Sequence, residues 1–246
     1  MNAWNRNYVE AESDHLMNPF KTRRSDRRLA FTLIELLVVI AIISLLAAII
    51  IPMAASAKVS ARINRAKADR DKIETELESY KAHKGFYPPD NQASPRDLAM
   101  PPLFYELTGT LLNGGVFRRL NGGDTISQAN VKQVFGVDSF LNSAKVTDFN
   151  DKNQIQDSDV RDYFPGLKPT DYLQVDYGGK QVAVLGLPID GPNELTSTDK
   201  RKINPWRYNS SNPTNNPNSY DLWIDLVLRG KTNRISNWRA EPQIVN

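Results

Sequence analysis

The sequence predicts an α+β fold: a long amino-terminal α-helix, membrane-spanning in its first half, packed on a carboxyl-terminal antiparallel β-sheet domain. Three observations predict it. Residues 31–53 are apolar with a single acid, and a bilayer span takes roughly 20 apolar residues. Beyond them Val59, Ile63, Ala66, Arg70, Ile73, Leu77 and Tyr80 recur at steps of four and three, the period of one helix face. Late in the chain, residues 172–177, 181–185 and 220–228 alternate apolar with polar, the period of a strand.

The first sixteen residues are polar and unpatterned, and Met17 is as good a start as Met1. A basic leader follows, with Lys21, Arg23, Arg24, Arg27 and Arg28, and then the apolar stretch, broken only by Glu35. An ionised carboxylate inside a span costs about 2.5–3.5 kcal/mol on insertion scales, and such a cost calls for a partner. Glu35 therefore suggests a segment that packs against other copies of itself. Two plainer readings compete. A signal peptide would be cut at Ala55-Ser56-Ala57, although apolar cores of signal peptides usually run only about 7–15 residues. A simple single-span anchor would leave Glu35 without a purpose.

The helix is expected to continue past Pro52 to about Lys84, roughly 80 Å at 1.5 Å per residue. Pro52 removes one backbone hydrogen bond and should bend or loosen it locally. Arg70 interrupts the apolar stripe and should run along the surface by its stem. Arg70–Glu74 and Lys72–Glu76 stand four apart and favour pairing. Gly85 suits the position after a helix end, and Pro88-Pro89 prevents continuation.

In the rest of the chain, short helices are expected around residues 102–107 and 130–135. Gly178-Gly179 is a good hairpin turn between the strands that flank it. In 220–228 one face would hold Tyr220, Leu222, Ile224, Leu226 and Leu228, toward the helix. The Asn/Pro/Ser-rich segment 209–219 reads as a loop.

Composition narrows the chemistry. The chain has 31 Lys+Arg and 28 Asp+Glu. Without residues 1–30, which hold six basic and four acidic side chains, 25 and 24 remain. No basic-aromatic patch for nucleic acid is evident, and nucleic acid is not expected as a partner. There is no cysteine, which excludes disulfides and thiolate chemistry. The two histidines are His15 and His83; His83 reads as a surface residue near the helix end, with no nucleophile motif around it. Nucleotide-binding glycine patterns are absent. No catalytic or cofactor-binding residue is named.

The stretch Arg27-Arg28-Leu29-Ala30 followed by Phe31-Thr32-Leu33-Ile34-Glu35 resembles the signature of the type IV pilin and pseudopilin superfamily. The resemblance implies a prepilin leader, residues 1–30, cut by prepilin peptidase between Ala30 and Phe31, with N-methylation of Phe31. It makes Glu35, Thr32 and Pro52 the assembly positions, 31–84 the long helix with its span at 31–53, and 85–246 a periplasmic or extracellular domain. Ala30 departs from the usual Gly, which bears on the efficiency of processing. Within the superfamily, Tyr80…Gly85-Phe86-Tyr87-Pro88, Asn204-Pro205-Trp206, Tyr220-Asp221-Leu222-Trp223 and Ile235-Ser236-Asn237-Trp238 are similar to blocks of the major pseudopilin of type II secretion. That likeness implies a homopolymer filament, with minor pseudopilins, an inner-membrane assembly platform and a cytoplasmic ATPase as partners. The chain would be a single-pass inner-membrane protein before assembly and a periplasmic or cell-surface filament afterwards. Lys and Arg flank both ends of the span, so the positive-inside rule gives no orientation, and a cytoplasmic leader follows from the resemblance alone. A subunit of a type IV pilus for adhesion, motility or DNA uptake, and a signal-peptide-exported soluble protein, are the alternatives.

Calcium is the one cofactor considered. The family commonly binds it between the last two blocks, where this chain has Arg229-Gly230-Lys231. Two cations are not ligands, so that site is not carried over; the expectation is that an Arg or Lys takes the place of the metal's charge in that loop. A second candidate, Asp148 to Asp159, partly resembles an EF-hand loop through Asp148, Asn150, Ile155 and Asp159. Lys152 and Asn153 in the positions of an acid and a Gly argue against it.

Overall fold

Residues 31–93 and 100–245 are described by a computed structural model of the 246-residue chain. The chain divides into two units between Ile50 and Ile51, and one helix, α1 (Leu33–Lys84), contributes to both. It is unbroken through Pro52. Gly85 ends it at φ 85°, its N–H donating to Lys81 O at 2.8 Å.

In the second unit the expected stripe is the packing face. Ala66, Ile73, Leu77 and Tyr80 are fully buried, and Val59 and Ile63 pack at the margin. Arg70 does not run out to solvent: its Nη1 donates to Ser236 O at 2.7 Å while Nε faces Glu74 at 3.3 Å. Of the two expected i,i+4 pairs only this one forms; no ion pair joins Lys72 to Glu76 among the described residues.

After α1 come α2 (Leu103–Thr108), β1 (Thr110–Asn113), β2 (Val116–Arg119), β3 (Thr125–Ser127), α3 (Gln128–Phe135), β4 (Ser143–Lys145) and α4 (Lys152–Gln156). Both expected short helices are present. Ser127 caps α3 by accepting from Asn130 N, and Gly136 closes it in the left-handed region. The strands follow: β5 (Tyr172–Tyr177), β6 (Lys180–Leu187), β7 (Leu195–Thr196), β8 (Lys202–Pro205), β9 (Arg207–Asn209), β10 (Asp221–Leu228), β11 (Lys231–Ser236) and β12 (Arg239–Val245).

These strands form three four-stranded sheets rather than one: β3-β2-β1-β4, β5-β6-β8-β7 and β12-β11-β10-β9. The first is not wholly antiparallel, since β1 pairs parallel with β4, Leu111 opposite Ala144. Parallel pairing needs a long crossover, here β2, β3 and α3, and no local pattern announces it. The expected hairpin is present, with Tyr172 opposite Leu185. In β10 both faces are covered, not one: Leu222, Ile224 and Leu226 are buried, and so are Asp221 and Asp225. Asp221 takes the N–H groups of Thr214, Asn215 and Asn216 and thereby folds the predicted 209–219 loop back on the strand.

The sheets meet α1 through the aromatic blocks. Trp206 Nε1 donates to Asp69 Oδ2 at 2.8 Å, and Tyr208 O–H to Pro88 O at 2.8 Å. Asn237 Nδ2 donates to Tyr220 O, and its Oδ1 accepts from Leu222 N. Tyr80 O–H donates to Glu106 Oε2 at 3.0 Å, while Leu141 N and Asn142 N donate to the same carboxylate. Burial pushes the Glu106 carboxyl up, and these three donors oppose it.

Candidate assembly site

Why α1 starts at Leu33 is visible in its first turn. Thr32 and Glu35 form a reciprocal cap: Glu35 N donates to Thr32 Oγ1 at 3.2 Å, and Thr32 N donates to Glu35 Oε2 at 2.9 Å. Thr32 O–H also donates to Oε2, at 2.8 Å. Two of the helix's orphan donors are satisfied this way. The spacing Thr-x-x-Glu before an apolar run is the sequence signal for such a cap, and the reading of Glu35 as an assembly residue passed over it. Both bonds that the Glu35 carboxylate accepts end on Oε2; Oε1 takes no hydrogen bond among the described residues.

The turns that follow carry Leu33, Ile34, Leu36, Leu37 and onward to Ile51 and Met53, and the large apolar side chains among them are exposed; Leu33 is 81% and Met53 67% accessible. The chain has one described helix long and apolar enough to cross a membrane. An apolar surface of this extent is a membrane or partner surface in any folded protein. Phe31, Thr32 and Glu35 thus stand together at the start of one exposed apolar helix. Pro52 stands one residue before Met53, at the far end of the apolar run. Ala30 and the rest of the leader lie outside the described residues.

No group of three or more His, Asp or Glu side chains gathers to hold a metal among the described residues. The donors of the EF-hand-like segment are turned to local duties. Asp148 accepts from Asn150 N, Asp151 caps α4, and Asp159 pairs with Lys84 Nζ at 2.6 Å. That pairing holds the Asp159 carboxyl below its usual range. At Arg229-Gly230-Lys231 the chain makes a tight turn between β10 and β11. Neither cation pairs with an acid among the described residues, contrary to expectation; in this sheet Arg234 is two-pronged on Asp225 at 2.8 and 2.9 Å, and Arg207 stands 3.7 Å from the same carboxylate.

His83 is also not a free surface residue. Its Nδ1 is 2.6 Å from Tyr163 Oη and its Nε2 3.2 Å from Asp159 Oδ1, with the side chain 23% exposed. No serine or threonine hydroxyl bonds to it among the described residues, so the cluster ties the end of α1 to the segment after α4 and forms no nucleophile–base pair.

Comparison with known proteins bears on the same residues. A family model described as the prokaryotic N-terminal methylation motif matches residues 26–51. Type II secretion system core protein G of Escherichia coli (strain K12) is 33% identical over 98 residues, 40% of this chain and 67% of that protein. No solved structure matches the chain.

Proposed function

Because the chain belongs to the type IV pilin and pseudopilin superfamily and is similar to core protein G of type II secretion, we propose that it is a structural subunit of a secretion pseudopilus that serves protein export. In this reading prepilin peptidase cuts between Ala30 and Phe31 and methylates Phe31. The subunit waits in the inner membrane, held by residues 31–53, and then joins a periplasmic filament of its own copies. Minor pseudopilins, the inner-membrane platform and a cytoplasmic ATPase are its partners in assembly, and it performs no catalysis.

The observation that carries the reading is an exposed apolar helix whose one acid is only half engaged. Within lipid, Thr32 satisfies Glu35 Oε2, which lessens the cost of the carboxylate, and Oε1 remains for a cation. The cut creates that cation, a Phe31 ammonium one helical turn from Glu35. Pairing it with Glu35 of the same or a neighbouring subunit offsets two buried charges at once, whereas leaving one alone typically costs about 3–5 kcal/mol. Registered helices are the arrangement in which every such pair closes.

Amino-terminal analysis of the mature protein tests this. N-methylated Phe31 is expected; a mature chain beginning at Lys58 overturns it in favour of an exported soluble domain. One observation favours a second reading, a type IV pilus subunit: the likeness to core protein G covers 40% of the chain, and the methylation motif is common to both filament types. Loss of secreted protein from the medium in a deletion strain, with surface filaments unchanged, supports the first reading over the second.

A further inference from the structure

The turn joining β10 to β11 holds Arg229 at φ 51° and Gly230 at φ 74°. Such backbone is routine for Gly and Asn and rare for a long side chain; the β5–β6 hairpin makes its turn with Gly178 and Gly179, at φ 59° and 78°. Arg229 reaches α1, its Nη2 lying 3.3 Å from Ser56 Oγ. Ser56 is three residues past Met53, the end of the apolar run, or about 4.5 Å along the helix. Each headgroup layer of a bilayer is about 5–7 Å deep. With residues 31–53 in the membrane, Ser56 and the Arg229 guanidinium beside it therefore lie at headgroup depth, with Lys231 two residues on in the same turn.

The charge at that level is of one sign. Between Glu35 and Asp69 the helix has no acid, and it carries Lys58, Arg62, Arg65 and Lys67. The cations farther from the apolar run have acids beside them: Arg62 has Asp190 at 3.9 Å, Arg65 has Asp171 at 3.6 Å and Lys67 has Glu241 at 3.2 Å. Those nearest to it, Lys58, Arg229 and Lys231, are exposed and form no ion pair among the described residues.

We propose that Arg229, Lys231 and Lys58 form a binding surface for the anionic phospholipid headgroups of the leaflet from which α1 emerges. The proposal rests on the reading of residues 31–53 as a membrane span. A guanidinium and two ammonium groups donate to phosphate oxygens, and the attraction of basic side chains to an anionic surface falls off within a Debye length. Only groups as close to the surface as these gain from it. The contact steadies the folded domain at the membrane, and departure into a filament must break it.

The full chain is reconstituted into vesicles of phosphatidylcholine alone, or with roughly 30% phosphatidylglycerol, and acylated with an amine-reactive reagent read by mass spectrometry. Flotation with both vesicles is expected, with Lys58 and Lys231 reacting about threefold more slowly on the anionic ones and recovering in about 0.5 M salt. Exposed Lys145 and Lys200 should react alike on both. Arg229→Asn, which suits the left-handed backbone, should keep the melting temperature and lose at least half of the protection. Flotation with equal rates overturns the inference and spares the membrane reading; failure to float overturns both. Equal protection by inorganic phosphate on phosphatidylcholine vesicles means a free-anion site, and protection that rises with protein density on those vesicles means contact between copies. Either result overturns the lipid surface.

Discussion

At Asp69, burial beneath the carboxyl-terminal sheets raises the carboxyl from its ordinary value near 4 to about 6, against the pull of the Trp206 N–H and with Asp171 adding repulsion. A carboxyl raised on folding favours the folded state while protonated. Its contribution is complete below about pH 4 and is lost as pH rises through about 6. Two units at 1.36 kcal/mol each make this about 3 kcal/mol at most. Asp69→Asn keeps an acceptor for Trp206 and removes the charge. Urea melts at pH 8 should show the variant more stable than wild type by about 1–3 kcal/mol, with the gain vanishing near pH 4. In the proposed assembly Glu35 works in the other direction, since its charge is what would pair with the Phe31 ammonium. Glu35→Ala removes both the cap and the counterion, and a cap alone is worth about 0.5–2 kcal/mol. Immunoblots should show normal cleavage at Phe31 with filaments reduced at least about tenfold, the equivalent of 1.4 kcal/mol per contact; wild-type filament yield would remove Glu35 from assembly.

Individual elements depend on contacts that a single residue type permits. The β6–β8 junction is two residue pairs long, Gly186 opposite Pro205 and Leu187 opposite Asn204. A Cβ at Gly186 would collide with the carbonyl of Asn204 and the side chain of Ile203, and backbone cannot yield as a flexible side chain does. Gly186→Ala should cost about 1–3 kcal/mol, as overpacking does, in thermal or urea unfolding; an unchanged midpoint would show that the junction adjusts freely. Tyr80 links α1 to the carboxylate of Glu106. Tyr80→Phe keeps the ring among Phe86 and Tyr163 and removes the O–H donor, at about 1.5–3 kcal/mol for a bond to a charged group. Urea midpoints report it, and a loss below about 0.5 kcal/mol would mean that Leu141 and Asn142 suffice.

For the molecule as a whole, the two halves of α1 have opposite surroundings: the apolar window is wholly unburied, whereas Ala66, Ile73, Leu77 and Tyr80 are in the core of the second unit. A fragment starting at Lys58 therefore keeps every buried α1 side chain. It should be soluble and monomeric by gel filtration, and should melt cooperatively with Trp fluorescence as the probe. Aggregation or a featureless melt would show that folding needs the apolar half.

Legibility followed the range of the interactions. The helix from its cap to Gly85, its buried stripe, the Gly178-Gly179 hairpin and the two short helices were open to inspection, because periodicity, turn residues and breakers act within a few positions. The apolar stretch and its acid needed no fold either, since composition along one segment is read without tertiary contacts. Only the tertiary structure decided that three sheets form, that β1 and β4 run parallel, that Arg70 turns inward to Ser236 O and that Asp69, Glu106 and Asp225 are buried with partners 137, 36 and nine residues away. Those outcomes depend on which distant groups can satisfy a buried donor or acceptor, and a buried polar group is tolerated only where that partner arrives.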